Sequence, residues 1–288
     1  MSKRFTLLGA LLALSALVAA AFATTASAGS AASQQGLNCA RTTFKIGVVT
    51  PLTGGAGFLG QDQLSWARYA VKTLAPGLGL KVRVVTGDTP VEQGAGIAQT
   101  VAQKMIADRS VIALIGPATS GAVAAASKAL GDANLVHISP SATRTSLTKG
   151  ANLEASNRFF RVVPGDYIQG PTVARFIAET LNADQVVRVD FQEPYSQGLV
   201  EAADAVLKRL NVSTSRLSIP NTVTDFSSFV TRVATDTDVV FFATQKPADA
   251  QTFSRQLVEQ GRRAIVFGPD GANDPDAFKT PGAYESNF

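Results

Sequence analysis

The sequence predicts an α/β fold made of two parallel-sheet lobes with a cleft between them. Short apolar runs alternate with longer amphipathic stretches, and the runs of the first half are FKIGVVT (44–50), LKVRVVT (80–86), VIALI (111–115) and LVHI (135–138). Apolar runs of this length are typical of buried parallel strands, whereas the stretches between them have helical spacing. The same alternation begins again after Pro164. Two such blocks in succession indicate two lobes.

The first lobe is expected at residues 44–157. Helices are predicted between its strands, at about 61–74, 92–108 and 120–130. The second of these predictions depends on apolar residues at positions 97, 101, 105 and 106, which recur at helical spacing. A loop rich in Ser, Thr and Asn, 139–157, then leads to the apolar run FFRVV (159–163).

The second lobe is expected at residues 158–288, with FFRVV at its start. After Pro164 the predicted elements are a helix at about 167–181, a strand at 185–190, a helix at about 195–210, a strand at 212–219, a helix at about 226–234 capped by Asp225, a strand at 238–244, a helix at 247–260 and a strand at 264–268. Alternation of this kind predicts a second parallel sheet.

The N-terminus has the pattern of an export signal. Lys3 and Arg4 precede an apolar stretch, residues 5–22, and the small-residue triplet Ala26-Ser27-Ala28 follows. A basic region, an apolar region and such a triplet predict cleavage after residue 28 and a mature protein in the periplasm or outside the cell. The alternative is a transmembrane anchor, although the stretch is short for a span. Residues 29–43 are expected to form a flexible segment.

Composition excludes several classes of partner and site. The sequence is 45% hydrophobic, enough to build a core, and its formal charge of +4 comes without a Lys/Arg cluster, so no nucleic acid partner is expected. Cys39 is the one cysteine and cannot form an intramolecular disulfide; it is either an unpaired thiol or, less in keeping with its surroundings, a lipid-modified residue. With one Cys and one His, no metal site and no cofactor are predicted.

Three short loops follow apolar runs and carry polar groups. They are GPATSG (116–121), SPSAT (139–143) and GPDG (268–271). Ligand sites in open α/β sheets lie beyond the carboxyl ends of the strands. The first two loops offer hydroxyl and backbone N–H groups, which suit a carboxylate, and Asp270 in the third suits an ammonium group. Together they predict a clamp for a free amino acid.

An ordered set of segments carries a resemblance to a known family. The segments are KIGVVTPLTG (45–54), VIALIGPATSGAVAAAS (111–127), HISPSATRTSLT (137–148), FFRVVPGDYIQGPTVARFI (159–177) and VFGPDG (266–271). The chain resembles the branched-chain amino-acid-binding (Leu/Ile/Val-binding) family, the type I periplasmic solute-binding proteins of ABC importers. The resemblance implies two Rossmann-like lobes that close on a small-molecule ligand, an amino acid of the branched-chain type or a related amide. It also implies an ABC permease as membrane partner, a monomer and no catalysis.

The resemblance assigns binding roles in the first lobe. Ser120 and Gly121 match the positions that hold the ligand's α-carboxylate at a helix N-terminus. The alternative is that Thr119 or Ser120 only caps this helix. Ser141, Ala142 and Thr143 match positions that use backbone groups and the Thr hydroxyl, and their alternative is an ordinary hydroxyl-rich turn.

In the second lobe the resemblance assigns Asp270 to the ligand's α-ammonium group and Tyr195 to a contact with the ligand. The alternatives are a turn-forming Asp and a buried aromatic at a helix start. Gln245 is expected at the ligand's side chain, together with Phe58 and Leu59. Because the family often has an aromatic residue where Gln245 stands, the sequence predicts a pocket that is less aliphatic than that of a leucine receptor.

Other functions were weighed against this one. Gly55, Gly57 and Gly60 have the spacing of a dinucleotide fingerprint, but Pro51-Leu52-Thr53 separates them from the strand, so a mobile loop at the cleft rim is preferred to an NAD-dependent enzyme. His137, the only histidine, lies inside an apolar strand, which favours a core residue over a catalytic base. A ligand-sensing regulator of the same fold remains an alternative to transport.

The resemblance also raises an expectation about the C-terminus. In the family the chain returns from the second lobe to the first and adds further elements there, whereas this sequence ends at Phe288, about where that return begins. The first lobe is therefore expected to expose apolar surface and an open sheet edge, and to be less stable.

Overall fold

The computed structural model describes residues 42–274, and residues 43–274 of these build two open parallel sheets. The first sheet has the strand order β2-β1-β3-β4-β5 and the second has the order β7-β6-β8-β9, with every neighbouring pair parallel. The strands are β1 (Thr43–Thr50), β2 (Lys81–Asp88), β3 (Val111–Ile115), β4 (Val136–Ser139), β5 (Phe159–Arg161), β6 (Gln185–Asp190), β7 (Ser213–Ser218), β8 (Val239–Phe242) and β9 (Ile265–Phe267).

Helices connect most of the strands, as is usual for parallel pairing, whereas a loop with a 3-10 turn at Thr145–Leu147 connects β4 to β5. They are α1 (Gly57–Leu74), α2 (Gly94–Ala107), α3 (Ser120–Asp132), α4 (Asp166–Arg175), α5 (Pro194–Arg209), α6 (Ser227–Val230) and α7 (Pro247–Glu259). A π-helical turn, Phe176–Thr180, continues α4. In residues 42–274, no helix is both long and apolar enough to span a membrane. The predicted signal, residues 1–28, and Cys39 lie outside the described residues.

The first sheet is packed on both faces around β1. On one face Val49 and Leu114 pack against Val101 and Met105 of α2, while on the other Val48 packs against Leu64 of α1. This alternation along β1 is the period-2 pattern of a strand covered on both sides.

Gly116 sets the course of the chain at the end of β3. Its φ is +106°, and a Cβ there would lie 2.1 Å from the carbonyl oxygen of Val49. Only glycine meets both conditions, because an L side chain rarely adopts this φ and a Cβ would overlap the neighbouring strand. The GPATSG loop therefore passes directly over β1 before α3 begins.

Part of the first sheet carries exposed apolar side chains. Ile138 and Phe160 are paired across β4 and β5 and are 41% and 54% exposed. Because β5 stands at the end of the described strand order, this is also an open edge. Ile138 and Phe160 therefore give this part of the first lobe an exposed apolar patch.

The second sheet is covered on both faces by apolar side chains. Four phenylalanines, Phe191, Phe226, Phe242 and Phe253, lie on one side of it with ring centroids 4.6–6.3 Å apart. Tyr195 and other residues of α5 pack against Val239 and Phe241 on the opposite side. Edge-to-face contacts of this kind add to the free energy gained from burial.

The prediction that FFRVV opens the second lobe is wrong. Phe159–Arg161 forms β5, which pairs with β4 and completes the first sheet. The reason is the burial of Phe159 beside His137, with ring centroids 5.6 Å apart. The first sheet therefore extends beyond the boundary expected at residue 157.

Two local predictions also differ from the structure. The helix expected at 226–234 ends at Val230, because the bonds from Arg232 N to Phe229 O and from Val233 N to Val230 O are i→i+3 bonds of turns. Gly57 and Gly60 lie in α1 and not in a mobile loop. A Cβ at Gly60 would lie 1.8 Å from the carbonyl oxygen of Pro51, so this glycine serves close packing of the helix on the preceding loop.

His137 is a buried, satisfied core residue, as predicted. Its Nδ1 lies 2.8 Å from the Leu135 carbonyl oxygen and its Nε2 lies 2.7 Å from the Ser127 hydroxyl. Burial lowers the pKa of His137. Since a carbonyl can only accept, Nδ1 carries the proton and Nε2 of the neutral ring accepts from Ser127.

Ser127→Ala is expected to lower the free energy of unfolding by about 1–3 kcal/mol, because the buried Nε2 atom loses its donor. Urea unfolding followed by circular dichroism measures the change. Ser65→Ala on exposed α1, where the hydroxyl bonds only to the Gln61 carbonyl, is the matched control. Equal effects of the two substitutions would contradict the assigned role of Ser127.

Candidate functional site

The GPATSG loop places the N-terminus of α3 beside the second lobe. Thr119 is the N-cap, and its hydroxyl accepts from the Ala122 N–H at 3.3 Å. The Ser120 hydroxyl accepts from the Arg144 N–H at 3.1 Å, so it ties this loop to the next one. The N–H groups of Ser120 and Gly121 belong to the first turn, where a helix offers no acceptor of its own. These backbone groups suit a bound anion.

The SPSAT loop lies next to it, at the end of β4. The Ser141 hydroxyl donates to the Ala118 carbonyl at 2.7 Å and accepts from Gln63 Nε2 at 2.9 Å. Ala142 is fully buried, and its N–H donates to the Ser139 hydroxyl at 3.0 Å. Thr143 is buried too, but its hydroxyl has no hydrogen-bond partner among residues 42–274. Of this loop's side chains, Thr143 is therefore the one with free hydrogen-bonding capacity.

Tyr195 and Asp270 meet in the second lobe. The Tyr195 hydroxyl donates to Asp270 Oδ1 at 2.6 Å and accepts from the Gly271 N–H at 3.2 Å. Gln169 Nε2 donates to the same carboxylate oxygen at 2.8 Å. Burial and the Asp270 charge raise the pKa of Tyr195, which keeps its hydroxyl a donor. The Asp270 carboxylate remains exposed and has acceptor capacity left.

Asp166 is a buried acid that the sequence reasoning missed. It is the first residue of α4 and is fully buried, and its N–H donates to the Thr143 carbonyl at 2.8 Å. Neither carboxylate oxygen has a hydrogen-bond partner in the described part of the chain. Because an acid after Pro-Gly at a helix start is common as a helix-terminus residue, its pattern alone did not distinguish it.

The pKa of Asp166 is raised to about 7, chiefly by burial. The nearby Asp270 carboxylate raises it further, whereas the Thr143 hydroxyl and the Arg161 and Arg144 guanidinium groups oppose the shift. The Thr143 hydroxyl is close enough to act on the carboxylate without forming a hydrogen bond of normal geometry. Asp166, Asp270 and Thr143 thus form an acidic group with unused acceptors.

A cavity of about 80 Å³ lies between the lobes. Thr89, Thr119 and Gly121 contribute to its first-lobe wall, and Glu193 and Gln245 to its second-lobe wall. Phe58 and Leu59 are not among its lining residues; they lie in the first turn of α1. The cavity therefore adjoins the N-terminus of α3 on one side and Gln245 on the other.

Glu193 is the N-cap of α5. Its Oε1 accepts from the Ser196 N–H at 2.6 Å and its Oε2 from the Tyr195 N–H at 2.8 Å. Gln245 Nε2 lies 3.4 Å from Oε2, a long contact. Burial raises the pKa of Glu193. This acid was not singled out from the sequence, where its position before a proline resembles an ordinary cap.

Direct contacts join the two lobes around the cavity. Arg144 Nη1 donates to the Pro194 carbonyl at 2.6 Å, and Gly121 lies against the Pro194 ring. On another part of this interface Asn221 Nδ2 donates to the Val91 carbonyl at 2.9 Å. The lobes are thus closed on each other at the predicted ligand loops.

A contact of Lys246 adds to this interface. Its ammonium group is 2.7 Å from both the Asn221 carbonyl and Asp249 Oδ2, and its stem lies against Gly55 of the first lobe. Lys246 is buried, so its charge is balanced within the second lobe while its methylene groups face the first.

A model of the family described as "Periplasmic binding protein" matches residues 43–285. The chain belongs to the periplasmic binding protein family. Among its relatives, an "Amino acid binding protein" of Pseudomonas aeruginosa is 28% identical over 242 residues, covering 82% of this chain and 63% of the relative. The "Leucine-specific-binding protein" of Salmonella typhimurium is 26% identical over 236 residues, covering 80% of this chain and 62% of the relative.

Solved structures agree on the fold. The leucine binding protein LivK of Thermotoga maritima superposes with a TM-score of 0.73 at 24% identity, covering 82% of this chain and 65% of that one. The two-lobed α/β fold and the resemblance to the branched-chain amino-acid-binding family are confirmed. The chain spans about three fifths of the length of the curated relatives it matches.

The relatives of this periplasmic binding protein are named for binding and not for catalysis, which agrees with the expectation that it is no enzyme. Within residues 42–274, no group of three or more His, Cys, Asp or Glu side chains is arranged to hold a metal ion.

For this periplasmic binding protein, Tyr195→Phe is expected to lower the free energy of unfolding by about 1–2 kcal/mol. The Gly271 N–H and the Asp270 carboxylate lose a buried partner, while the ring still fills its place in the core. Urea unfolding measures the change, and Tyr69→Phe on the exposed face of α1 is the control. A loss no larger than that of the control would show that the Tyr195 hydroxyl does not hold the Asp270 turn.

Proposed function

We propose that this chain binds a free amino acid, or a related amide, between its lobes as the substrate-binding protein of an ABC importer. One observation carries the proposal: the unpartnered Asp166 carboxylate and Thr143 hydroxyl lie beside Asp270, close to the N-terminus of α3. Buried polar groups are normally hydrogen-bonded, so partnerless ones beside an exposed acid suit a ligand that supplies donors.

The acidic group is the ammonium end of the proposed site. An α-ammonium group has three donors, and Asp270, Asp166 and Thr143 together offer acceptors for all three. Asp270 belongs to the second lobe, whereas Thr143 belongs to the first. A ligand held between them would stabilise the closed arrangement, because contacts to both lobes exist only when the lobes are together.

The N-terminus of α3 is the carboxylate end. The Ser120 and Gly121 N–H groups and the helix dipole favour a negative charge there, and charge-assisted hydrogen bonds are the strong ones. The Ser120 hydroxyl is occupied by the Arg144 N–H, so backbone groups and not this side chain would carry most of the contact. The site therefore suits a zwitterion.

The relatives support the cellular role. One is named for binding amino acids and another for binding leucine, and this chain itself matches the periplasmic binding protein family. With the predicted export signal at residues 1–28, we place the protein in the periplasm or outside the cell, where it would act as a monomer and deliver its ligand to an ABC permease.

Isothermal titration calorimetry of the full chain against the twenty amino acids tests the proposal. For the amino acid that binds most tightly, the N-acetyl derivative and the α-amide are titrated next, because each removes one charge of the zwitterion. Both are expected to bind at least about 100-fold more weakly. Heat from none of the amino acids, or equal binding of the N-acetyl derivative, would overturn the proposal.

A further inference from the structure

We infer that the cavity between the lobes selects a short, uncharged side chain that hydrogen-bonds, and that a primary carboxamide of asparagine size fits it best. This inference rests on the proposed function, since it assigns the side-chain end of the same ligand. The ligand inferred here differs from leucine, the amino acid with an aliphatic side chain for which one relative is named.

The position of the cavity makes it the side-chain subsite. Gly121 belongs both to its wall and to the N-terminus of α3, where the carboxylate would bind. On the opposite wall, Gln245 Cγ would be 3.1 Å from a Cβ placed on Gly271, next to Asp270. A ligand held by its carboxylate and ammonium groups therefore has this cavity directly beside it.

The volume limits the length of the side chain. A cavity needs roughly 10–15 Å³ of such space for one water molecule, so about 80 Å³ corresponds to roughly five to eight water-sized groups. Side chains of about four non-hydrogen atoms, such as those of Asn, Asp and Leu, meet this limit. Their similar shapes mean that polarity, and not size, would decide between them.

The polar groups of the wall favour the carboxamide. The Thr89 hydroxyl is buried and has no hydrogen-bond partner in the described residues. Across the cavity, Gln245 Nε2 makes only the long 3.4 Å contact with Glu193 Oε2. A carboxamide offers two donors and an acceptor, so it can donate to Glu193 and accept from Gln245 or Thr89.

The alternatives are each disfavoured for a physical reason. A leucine side chain would seal the Thr89 hydroxyl and the Glu193–Gln245 pair away from water without giving them a partner. An aspartate side chain would bring a second carboxylate against Glu193. The walls also include the apolar residues Pro90, Val91 and Ala122.

Calorimetry of the full chain at pH 7.5 with asparagine, leucine, aspartate and alanine tests the inference. Asparagine is expected to bind at least about ten-fold more tightly than leucine and aspartate. Alanine has only a methyl side chain, so its binding shows how strongly the ammonium and carboxylate ends of the site bind by themselves. Leucine binding as tightly as asparagine while alanine still binds would overturn the inference and leave the proposed function standing. Binding of none of the four would overturn this inference, whereas the proposed function fails only if none of the twenty amino acids binds.

Two variants test the residues. Gln245→Met and Thr89→Val remove hydrogen-bonding groups at nearly constant shape, and each is expected to reduce the asparagine-to-leucine affinity ratio at least about five-fold. Gln103→Met, on the exposed face of α2, is the control and should leave the ratio unchanged. Circular dichroism shows whether each variant is folded. A ratio that is unchanged in both folded cavity variants would overturn the assignment of the carboxamide to this wall.

Discussion

Asp270→Asn is expected to weaken the binding of a free amino acid by about 2–5 kcal/mol, a factor of roughly 30 to several thousand in Kd. The substitution keeps the shape of the side chain and its hydrogen-bonding partners Tyr195 and Gln169 within reach. What it removes is the negative charge. An ammonium group enclosed between the lobes has lost its water and then lacks a full counter-charge.

Calorimetry with the tightest-binding amino acid measures the effect. Asp62→Asn, which removes an exposed carboxylate of α1, is the control and should leave Kd unchanged. If Asp270→Asn binds as tightly as the unmodified chain, Asp270 is only a turn residue and the ammonium group is held elsewhere, with Asp166 the next carboxylate to substitute.

Raising the pH from about 4 to about 7 is expected to remove up to about 4 kcal/mol of stability through Asp166 alone. The pKa of this carboxyl is about 7 in the folded protein, compared with an ordinary value of 3.8. Between these two values the folded state holds a proton that the unfolded state has lost. The contribution is therefore complete below the unfolded pKa, declines as the pH rises, and is gone above about 7.

Urea unfolding of the chain and of Asp166→Asn at pH 4.5, 6 and 8 checks this expectation. The free energy of unfolding of Asp166→Asn should depend less on pH, so the stability of this variant relative to the unmodified chain should rise with pH. Asp132→Asn, on the exposed part of α3, provides the comparison. Parallel pH profiles for the unmodified chain and Asp166→Asn would contradict the raised pKa.

A bound ammonium group favours the ionised carboxylate of Asp166, so amino acid binding should strengthen as the pH rises through 7.

Most strands and helices could be predicted because each is defined by its own stretch of sequence. β3 and α3 illustrate this, since the run VIALI and the Thr119 cap are local signals. β5 shows the limit. Its run, FFRVV, has the composition of a strand, but composition does not tell which sheet a strand joins. The pairing of β5 with β4 and the contact of Phe159 with His137 show which sheet the strand joins, and neither is visible in the run itself.

Some residues of the candidate site could likewise be predicted from the sequence, and others could not. The loops containing Ser120, Thr143 and Asp270 could be found because polar residues followed apolar runs. Asp166 and Glu193 could not, because each stands at a helix start where an acid has a routine role. These two acids are candidates because they are buried and have neighbours from other helices and strands. Both properties exist only in the folded lobes.

Two glycines have the role of spacers in the lobe interface. A methyl group at Gly55 would lie 2.6 Å from Lys246 Cγ, and one at Gly121 would lie 3.3 Å from Pro194 Cδ. Each added methyl group would overlap with the opposite lobe near the candidate site, and the overlap would be larger at Gly55. Because an added methyl group would stand between two packed surfaces, the absence of side chains at these positions helps set how closely the lobes approach each other. Substitutions here are therefore expected to change the packing of the lobes on each other without altering any charged group of the candidate site.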